Sequence, residues 1–314
     1  MKAMQFAGYG GPDKIRAAEL PVPAAGAGEI PVKVAATSIN PIDWKLHGGM
    51  LRWIRPLHFP STPCFDFAGE VAAAGEGVGA FRPGERVFGM LPLRQLGAAA
   101  EYLAVDQAYA APMPEGLGFA EAAALPLAGM TALQALRDDG GLVAGQRVLV
   151  SGAAGGVGHY GVQIAKALGA HVTALCRPAK HALARELGAD AALDYAAAPA
   201  DAAQRYDLIL DTTHHQGFGR WRRWLTPRGK YVALLPLPGL LLHKLTLPLY
   251  SSQRAAVTFL KPNRADLEQL ADWVRQKRLR TVLDGIYPLE ELGKAMERSR
   301  SGRPSGKIVV RIDG

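Results

Sequence analysis

Hydrophobic and polar positions change rhythm along this chain. Before residue 119 the apolar residues come in short runs. The stretch "EIPVKVAATSIN" (29–40) alternates apolar and polar in its first half, which predicts a half-buried strand. "FAGEVAAAGEGVGAFRPGERVFGM" (67–90) predicts a strand, a glycine-rich turn, a second turn at Pro83-Gly84 and another strand. Helical periodicity is scarce here, so this part predicts a compact β-rich domain. In "GFAEAAALPLAGMTALQALRDDGGL" (118–142) alanine and leucine fall at helical spacing, with Gly140-Gly141 as a stop. Strand and helix patterns then alternate through "RVLVSG", "HYGVQIAKALG", "HVTALC", "PAKHALARELG", "YDLILDTT", "FGRWRRWL" and "KYVALL". Such alternation predicts a doubly wound parallel sheet with crossover helices, an α/β domain. After residue 262 come a helix over "RADLEQLADWVRQKRL" and a last strand, "GKIVVRID" (306–313), which need not join the α/β domain.

Composition narrows the classes. At 314 residues and 49% hydrophobic, the chain can bury a core without staples. Two cysteines, Cys64 and Cys176, are too few for a disulfide framework or a four-thiolate zinc lobe, and they fit a reducing, cytoplasmic setting. The opening "MKAMQFAGYGGPDKIRAAELPVP" breaks into glycine and proline, so no secretory signal is expected. The greasiest stretch, "YVALLPLPGLLLHKLTLPLY" (231–250), carries three prolines, a histidine and a lysine. It predicts a buried strand and an apolar loop rather than a membrane span, with attachment to a hydrophobic partner left open. The formal charge is +8, but the basic residues are mostly scattered. Their densest run, "RWRRWLTPRGK" (Arg220–Lys230), reads as a solvated helix face beside a turn. Its two tryptophans are a weak signal for nucleic acid.

The chemistry starts at "VLVSGAAGGVGHYGVQIAKALGA" (148–170). Between a buried-type strand and an amphipathic helix stands Ser151-Gly152-Ala153-Ala154-Gly155-Gly156-Val157-Gly158. From Ala153 onward this has the G-x-G-x-x-G spacing of a dinucleotide-binding bend, with alanine in the first place. Gly155 lets the backbone approach a pyrophosphate, and Gly158 lets the helix pack on the strand. The first place needs a tight turn that a small residue can make. The helix N-terminus offers free N–H groups to phosphates. The next strand ends at Cys176, where an acidic residue would select NAD. Arg177 and Lys180 follow instead, suited to a 2′-phosphate and hence to NADPH; the alternative is a pair of surface cations.

These residues, with "GGPDKI", "INPIDWKLHGG" (39–49), "FDFAGEVAAAGEGVGAFRPGERVFG" (65–89), "AAALPLAGMTALQAL" (122–136), "LGADAALDY" (187–195), "YDLILDTT" (206–213) and "SGKIVVRI" (305–312), run in order through nearly the whole chain. The chain resembles the zinc-free quinone oxidoreductase branch of the medium-chain dehydrogenase/reductase superfamily. The resemblance implies a GroES-like domain over 1–120 and a Rossmann NADPH-binding domain over 121–262. Residues 263–314 would return to the GroES-like domain. It also explains Ala153, because alanine is usual there in this branch. Zinc-dependent relatives have cysteine at Asn40, and histidine and glutamate at Phe65 and Asp66, so no metal is expected. The resemblance implies Asn40 and Asp43 near the nicotinamide, Thr131 near ribose and phosphates, and Tyr195 near the adenosine phosphate. It places Thr212 in the dinucleotide groove and Lys307 beside the cofactor. Each of these is otherwise a structural polar residue. A homodimer is the family expectation.

Departures from the family pattern carry their own alternatives. Cys64 is a small buried side chain or narrows the substrate cleft. His214-His215 are solvated, face the substrate, or obstruct the cofactor. Trp44 and Trp53 are core, or Trp53 is an apolar wall. The expected reaction is hydride transfer to a small electrophilic acceptor, a quinone or an α,β-unsaturated carbonyl. Asn40 and nearby Lys45, with Trp44 or His47 as alternatives, are the candidate donors to its developing oxyanion. The competing reading is a non-catalytic NADPH-binding protein that acts through an RNA or protein partner.

Overall fold

The structure, a computed structural model, describes residues 1–196, 205–213, 217–235 and 251–312. The chain forms two compact units. The first comprises Met1–Ala128, Lys261–Gln276 and Thr281–Gly314; the second, Gly129–Leu260 and Lys277–Arg280. Among the described residues no helix is long and apolar enough to cross a membrane.

The first unit opens with β1 (Lys2–Phe6) and β2 (Ile15–Glu19), an antiparallel pair. Its main sheet begins with β3 (Glu29–Ile39), followed by helix α1 (Pro41–His47) and the strands β4 (Asp66–Val71), β5 (Arg86–Met90), β6 (Tyr102–Asp106) and β7 (Ala110–Pro112). The glycine turns expected between β4 and β5 are present, and Gly77 and Gly84 adopt positive φ (77° and 86°). Helix α2 (Phe119–Ala124) packs on β3 and β4, so the first unit extends past residue 120. The helical pattern over 118–142 is one run in sequence but three pieces in space. Pro126 starts α3 (Pro126–Gln134), and a π-type turn, Ala135–Asp139, follows before Gly141 with its φ of 59°.

The second unit is built on β8 (Arg147–Ser151), α4 (Gly158–Ala167), β9 (His171–Leu175), α5 (His181–Glu186), β10 (Ala191–Leu193), β11 (Tyr206–Asp211), α6 (Phe218–Trp221), β12 (Leu225–Ala233) and β13 (Arg254–Val257). The strands form one parallel sheet in the order β10-β9-β8-β11-β12-β13. The chain runs outward from β8 to β10, then returns to place β11 on the other side of β8. The β8/β11 junction is therefore the switch point where such sheets bind ligands at the strands' carboxyl ends. Helix α4 is not amphipathic as expected: every residue from Gly158 to Ala165 is buried. Its outer side is covered by a late segment of the chain, where Gln163 Nε2 donates to the Arg280 carbonyl (3.0 Å) and the Arg280 N–H donates to Gln163 Oε1 (2.8 Å). Residues 231–233 finish β12; 236–250, the rest of the apolar stretch, lie outside the described residues, as do His214 and His215.

The last strands, β14 (Leu283–Pro288) and β15 (Lys307–Arg311), belong to the first unit. Its sheet runs β14-β15-β3-β4-β5-β7, with β6 also paired to β3. The antiparallel register sets Ile308 opposite Ile39 and Val309 opposite Ser38, which brings Lys307 to the C-terminal end of β3. Flanked by β15, β4 and β6 and packed against α2, β3 is buried at every position from Ala36 to Ile39, whereas Lys33 is exposed and Ala35 half-buried earlier in the strand.

Candidate functional site

Two sets of polar residues are organised by these sheets. In the first unit, the ends of β3, β4 and β15 bring together Ser38, Asn40, Asp66 and Lys307, all buried. Lys307 Nζ donates to Asn40 Oδ1 (2.5 Å), and Asn40 Nδ2 donates to Asp66 Oδ2 (2.8 Å). Ser38 Oγ donates to the same carboxylate oxygen (2.6 Å), while the Leu127 N–H donates to Oδ1 (2.9 Å). Lys307 and Asp66 form an ion pair at 3.6 Å. Burial holds the Lys307 ammonium below its ordinary pKa, against the pull of Asp66 and Asp43. Asp66 is thus the hub of the network, a role the sequence reading did not give it. Its signal was present: an acid set directly among the apolar residues Cys64, Phe65, Phe67 and Ala68 needs a partner if it is buried.

Asn40 is also the N-cap of α1. Its N–H donates to Asp43 Oδ2 (2.7 Å) and the Asp43 N–H donates to the Asn40 carbonyl (3.0 Å). The other Asp43 oxygen, Oδ1, is buried without a hydrogen-bond partner. Burial pushes the Asp43 carboxyl up to about 8. On the same helix His47 is pushed down to about 4 by burial, and its Nδ1 lies 2.9 Å from the Asp43 carbonyl. Lys45 is outside this network; its ammonium sits 5.5 Å from the Trp44 ring centre. Trp44 is half-buried, with Nε1 donating to Ser299 Oγ (3.2 Å), while Trp53 is exposed and is not core. Cys64 is fully buried, with φ 72° and a thiol pushed well up by burial.

The two shifts on α1 act oppositely on stability. A raised carboxyl contributes stability that is complete below pH 4 and is lost as pH rises through about 8. A depressed histidine contributes stability present above its ordinary 6.5 and lost as pH falls through about 4. Below pH 6.5 the two oppose each other; between 6.5 and 8 the Asp43 effect stands alone. Stability is expected to fall there by on the order of 1 kcal/mol per pH unit, and Asp43→Asn should remove that slope. Urea titrations of both proteins at pH 6.5 and 8 check it; equal slopes would contradict the assignment.

In the second unit, the bend after β8 lies at the switch point. Gly152, not Ala153, makes the tight turn: its φ is 75°, and a Cβ there would meet Thr212 Oγ1 and Thr213 Cγ2 at 2.4 Å. A Cβ on Gly158 would lie 2.0 Å from the Gly152 carbonyl oxygen, so only glycine fits. Gly155 differs. Its φ is not positive and a Cβ would touch only the Gly152 oxygen, at 3.2 Å. Gly155, Gly156 and Val157 are the partly exposed crest, whereas Ser151 to Ala154 and Gly158 are buried. The crest is braced from below. The Gly155 N–H donates to Gly152 O (2.8 Å), and His159 Nδ1 lies 2.9 Å from Gly155 O. Ser151 ends β8 with its Oγ 3.0 Å from Thr213 Oγ1, and Thr212 Oγ1 donates to Ser151 O (2.7 Å). Beneath them Asp211 accepts from Trp221 Nε1 (3.0 Å) and Tyr231 Oη (2.8 Å). His159 and Asp211 were missed in sequence because both act through neighbours.

Cys176 follows β9 and is buried, its thiol pushed up by burial. Arg177 is exposed and caps the turn Pro178–Lys180; Lys180 is half-buried. Arg185 and Asp194 also act on the Cys176 thiol, Asp194 raising its pKa and Arg185, with Lys180, lowering it. Two cations and one acid thus act on this strand end, beside the exposed Arg177. Tyr195 packs against the core of the sheet, and burial raises its hydroxyl to about 12. Thr131 is buried on α3. The tryptophans of the basic run are not a stacking surface: Trp221 and Trp224 are buried, edge to face at 5.2 Å. With both rings buried, base stacking gives no support to an RNA partner.

The donor sets can be tested against the groups they would hold. A crest with a brace below and room for a Cβ above suits a diphosphate. The Asn40, Asp66 and Lys307 set holds a buried ammonium against its acid and has no soft donor, which does not suit zinc. Among the described residues no group of three or more His, Cys, Asp or Glu is arranged to hold a metal ion.

Residues 26–115 match the family model of the alcohol dehydrogenase GroES-like domain, and 187–310 that of zinc-binding dehydrogenases. A chloroplast envelope quinone oxidoreductase homolog of Arabidopsis thaliana is 36% identical, over 99% of this chain and 98% of its own length. The trans-enoyl reductase pgmF of Aspergillus terreus is 34% identical over 92% of this chain and 87% of its own. The solved quinone oxidoreductase of Coxiella burnetii superposes with a TM-score of 0.89 at 29% identity, covering 100% of this chain and 99% of its own.

Proposed function

The chain belongs to the quinone oxidoreductase branch of the medium-chain dehydrogenase/reductase superfamily, and on that premise we propose that it is an NADPH-dependent, metal-free reductase of quinones or α,β-unsaturated carbonyl compounds. The observation that carries the reading is the crest at Gly155: braced from one side, open on the other, and set at the end of β8 beside β11. Bound there, NADPH supplies the hydride from nicotinamide C4. The N–H groups at the start of α4 hold the diphosphate, and Thr212 keeps the bend closed through its bond to Ser151 O. Arg177, an exposed fork, and Lys180, a half-buried point charge, would take the 2′-phosphate.

In the first unit, the network fixes Asn40. Its amide oxygen is taken by Lys307 and one amide proton by Asp66, which leaves one N–H for an acceptor oxygen. The Lys307 ammonium adds a fixed positive charge beside Asn40. Lys45, on the half-buried side of α1, is the second donor. A homodimer in the cytoplasm completes the reading; light scattering checks the assembly.

The cofactor preference is directly testable. Arg177→Glu should weaken NADPH binding by about 30- to 100-fold, the cost of lost charge-assisted bonds and a new repulsion, and change NADH binding less than about threefold. Equal losses would refute the phosphate assignment. The activity itself is tested by following NADPH consumption with a panel of quinones and short enals after exhaustive chelation. The reading expects turnover that chelation leaves intact. Stoichiometric zinc whose removal abolishes turnover would refute the metal-free mechanism.

A further inference from the structure

Three large apolar side chains stand in solvent within five consecutive residues: Met50 is 67% exposed, Trp53 87% and Ile54 86%. Single exposed apolar residues are ordinary, but such a cluster marks an interaction site. The segment is wound, not loose. Gly49, with φ 78°, ends α1; the Met50 N–H donates to Lys45 O (3.0 Å), Ile54 N–H to Leu51 O (3.0 Å) and Arg55 N–H to Leu51 O (2.7 Å). The Arg52 guanidinium lies 5.1 Å from the Trp53 ring centre.

Charge along this segment has one sign, while beside Met50 a pocket wall adds one acid, Glu297, and one base, Arg300. From Trp44 to Phe65 the chain has Lys45, Arg52 and Arg55 and no acidic residue. The flanking acids, Asp43 and Asp66, are both buried. Arg55 also lines an open groove of about 700 Å³, where it is joined by His58 and Arg94 against one acid, Glu29. The tip combines an exposed indole with flanking arginine side chains. It suits shallow insertion between lipid headgroups, where an indole straddles the interface and arginine stems extend to the phosphates.

We propose that residues 50–55 form a docking turn for an anionic phospholipid surface, with Met50, Trp53 and Ile54 entering the interface and Arg52 and Arg55 meeting headgroup phosphates. Docking of this kind is independent of the reductase reading, and its test does not use turnover.

The full chain is floated at low salt with vesicles of phosphatidylcholine, and with vesicles containing about 30% phosphatidylglycerol. The anionic vesicles should bind it at least about tenfold more strongly. Arg52→Glu, a change of two charges, should weaken that binding by roughly thirty-fold. The double variant Trp53→Ser, Ile54→Ser should weaken it by about tenfold or more, and both variants should keep the parent's melting temperature. Brominated acyl chains should quench tryptophan emission of the parent more than that of Trp53→Ser. No binding by the parent, or equal binding by parent and variants, would overturn the proposal. So would loss of self-association in the double variant without any vesicle binding by the parent, which would assign the tip to a second copy of this chain.

Discussion

Lys307→Met is expected to lower the unfolding free energy by about 3–5 kcal/mol, the cost of leaving one partner of a buried ion pair uncompensated. Methionine keeps the length of the side chain and removes the ammonium. Asp66 then retains bonds from Asn40, Ser38 and the Leu127 N–H, but no opposite charge. Asn40 Oδ1 loses its donor as well. Adding Asp66→Asn to Lys307→Met should recover part of the loss, because the uncompensated charge goes while most of the bonds remain. Urea unfolding of the single and double variants measures both terms. A loss below about 1 kcal/mol for Lys307→Met would show that the pair contributes no more than an exposed one.

Gly155→Val is expected to separate cofactor binding from folding. Its backbone is open to any residue, and only the Gly152 oxygen, 3.2 Å from the added Cβ, must yield. The stability loss should stay near 1 kcal/mol, while branched carbons fill the space above the crest and weaken NADPH binding by at least about 100-fold. Gly158→Val makes the contrast: its Cβ would lie 2.0 Å from a backbone oxygen, so this substitution should damage the fold itself. Calorimetric titration with NADPH, alongside thermal unfolding, distinguishes the two. Normal binding by Gly155→Val would mean that the dinucleotide lies elsewhere.

Much of the architecture was legible because its signals are local. The strand–bend–helix around 148–170 announces itself by small residues between two apolar runs, and the alternation after it dictates a parallel sheet. What stayed hidden depends on partners far along the chain. The bend was placed one residue late, since spacing alone cannot tell that the positive φ falls on Gly152 and that Ala153 needs none. Helix α4 reads as one-sided in sequence, yet Gly158 to Ala165 are all buried, and the Arg280 backbone bonds Gln163 on it. Asp66 gained its meaning only when β15 delivered Lys307 from the other end of the chain. Trp53 reads as core or wall by composition, yet it stands in solvent. In each case a long-range contact, or its lack, decided what the local pattern left open.

The central claim is that the chain moves a hydride from a phosphorylated nicotinamide to an electron-poor acceptor. The most direct measurement supplies NADPH deuterated at C4 to the chelated protein with a short enal and locates the label in the product. The account predicts deuterium on the β-carbon of the saturated aldehyde. Tight NADPH binding with no label transferred to any acceptor of the panel would contradict it.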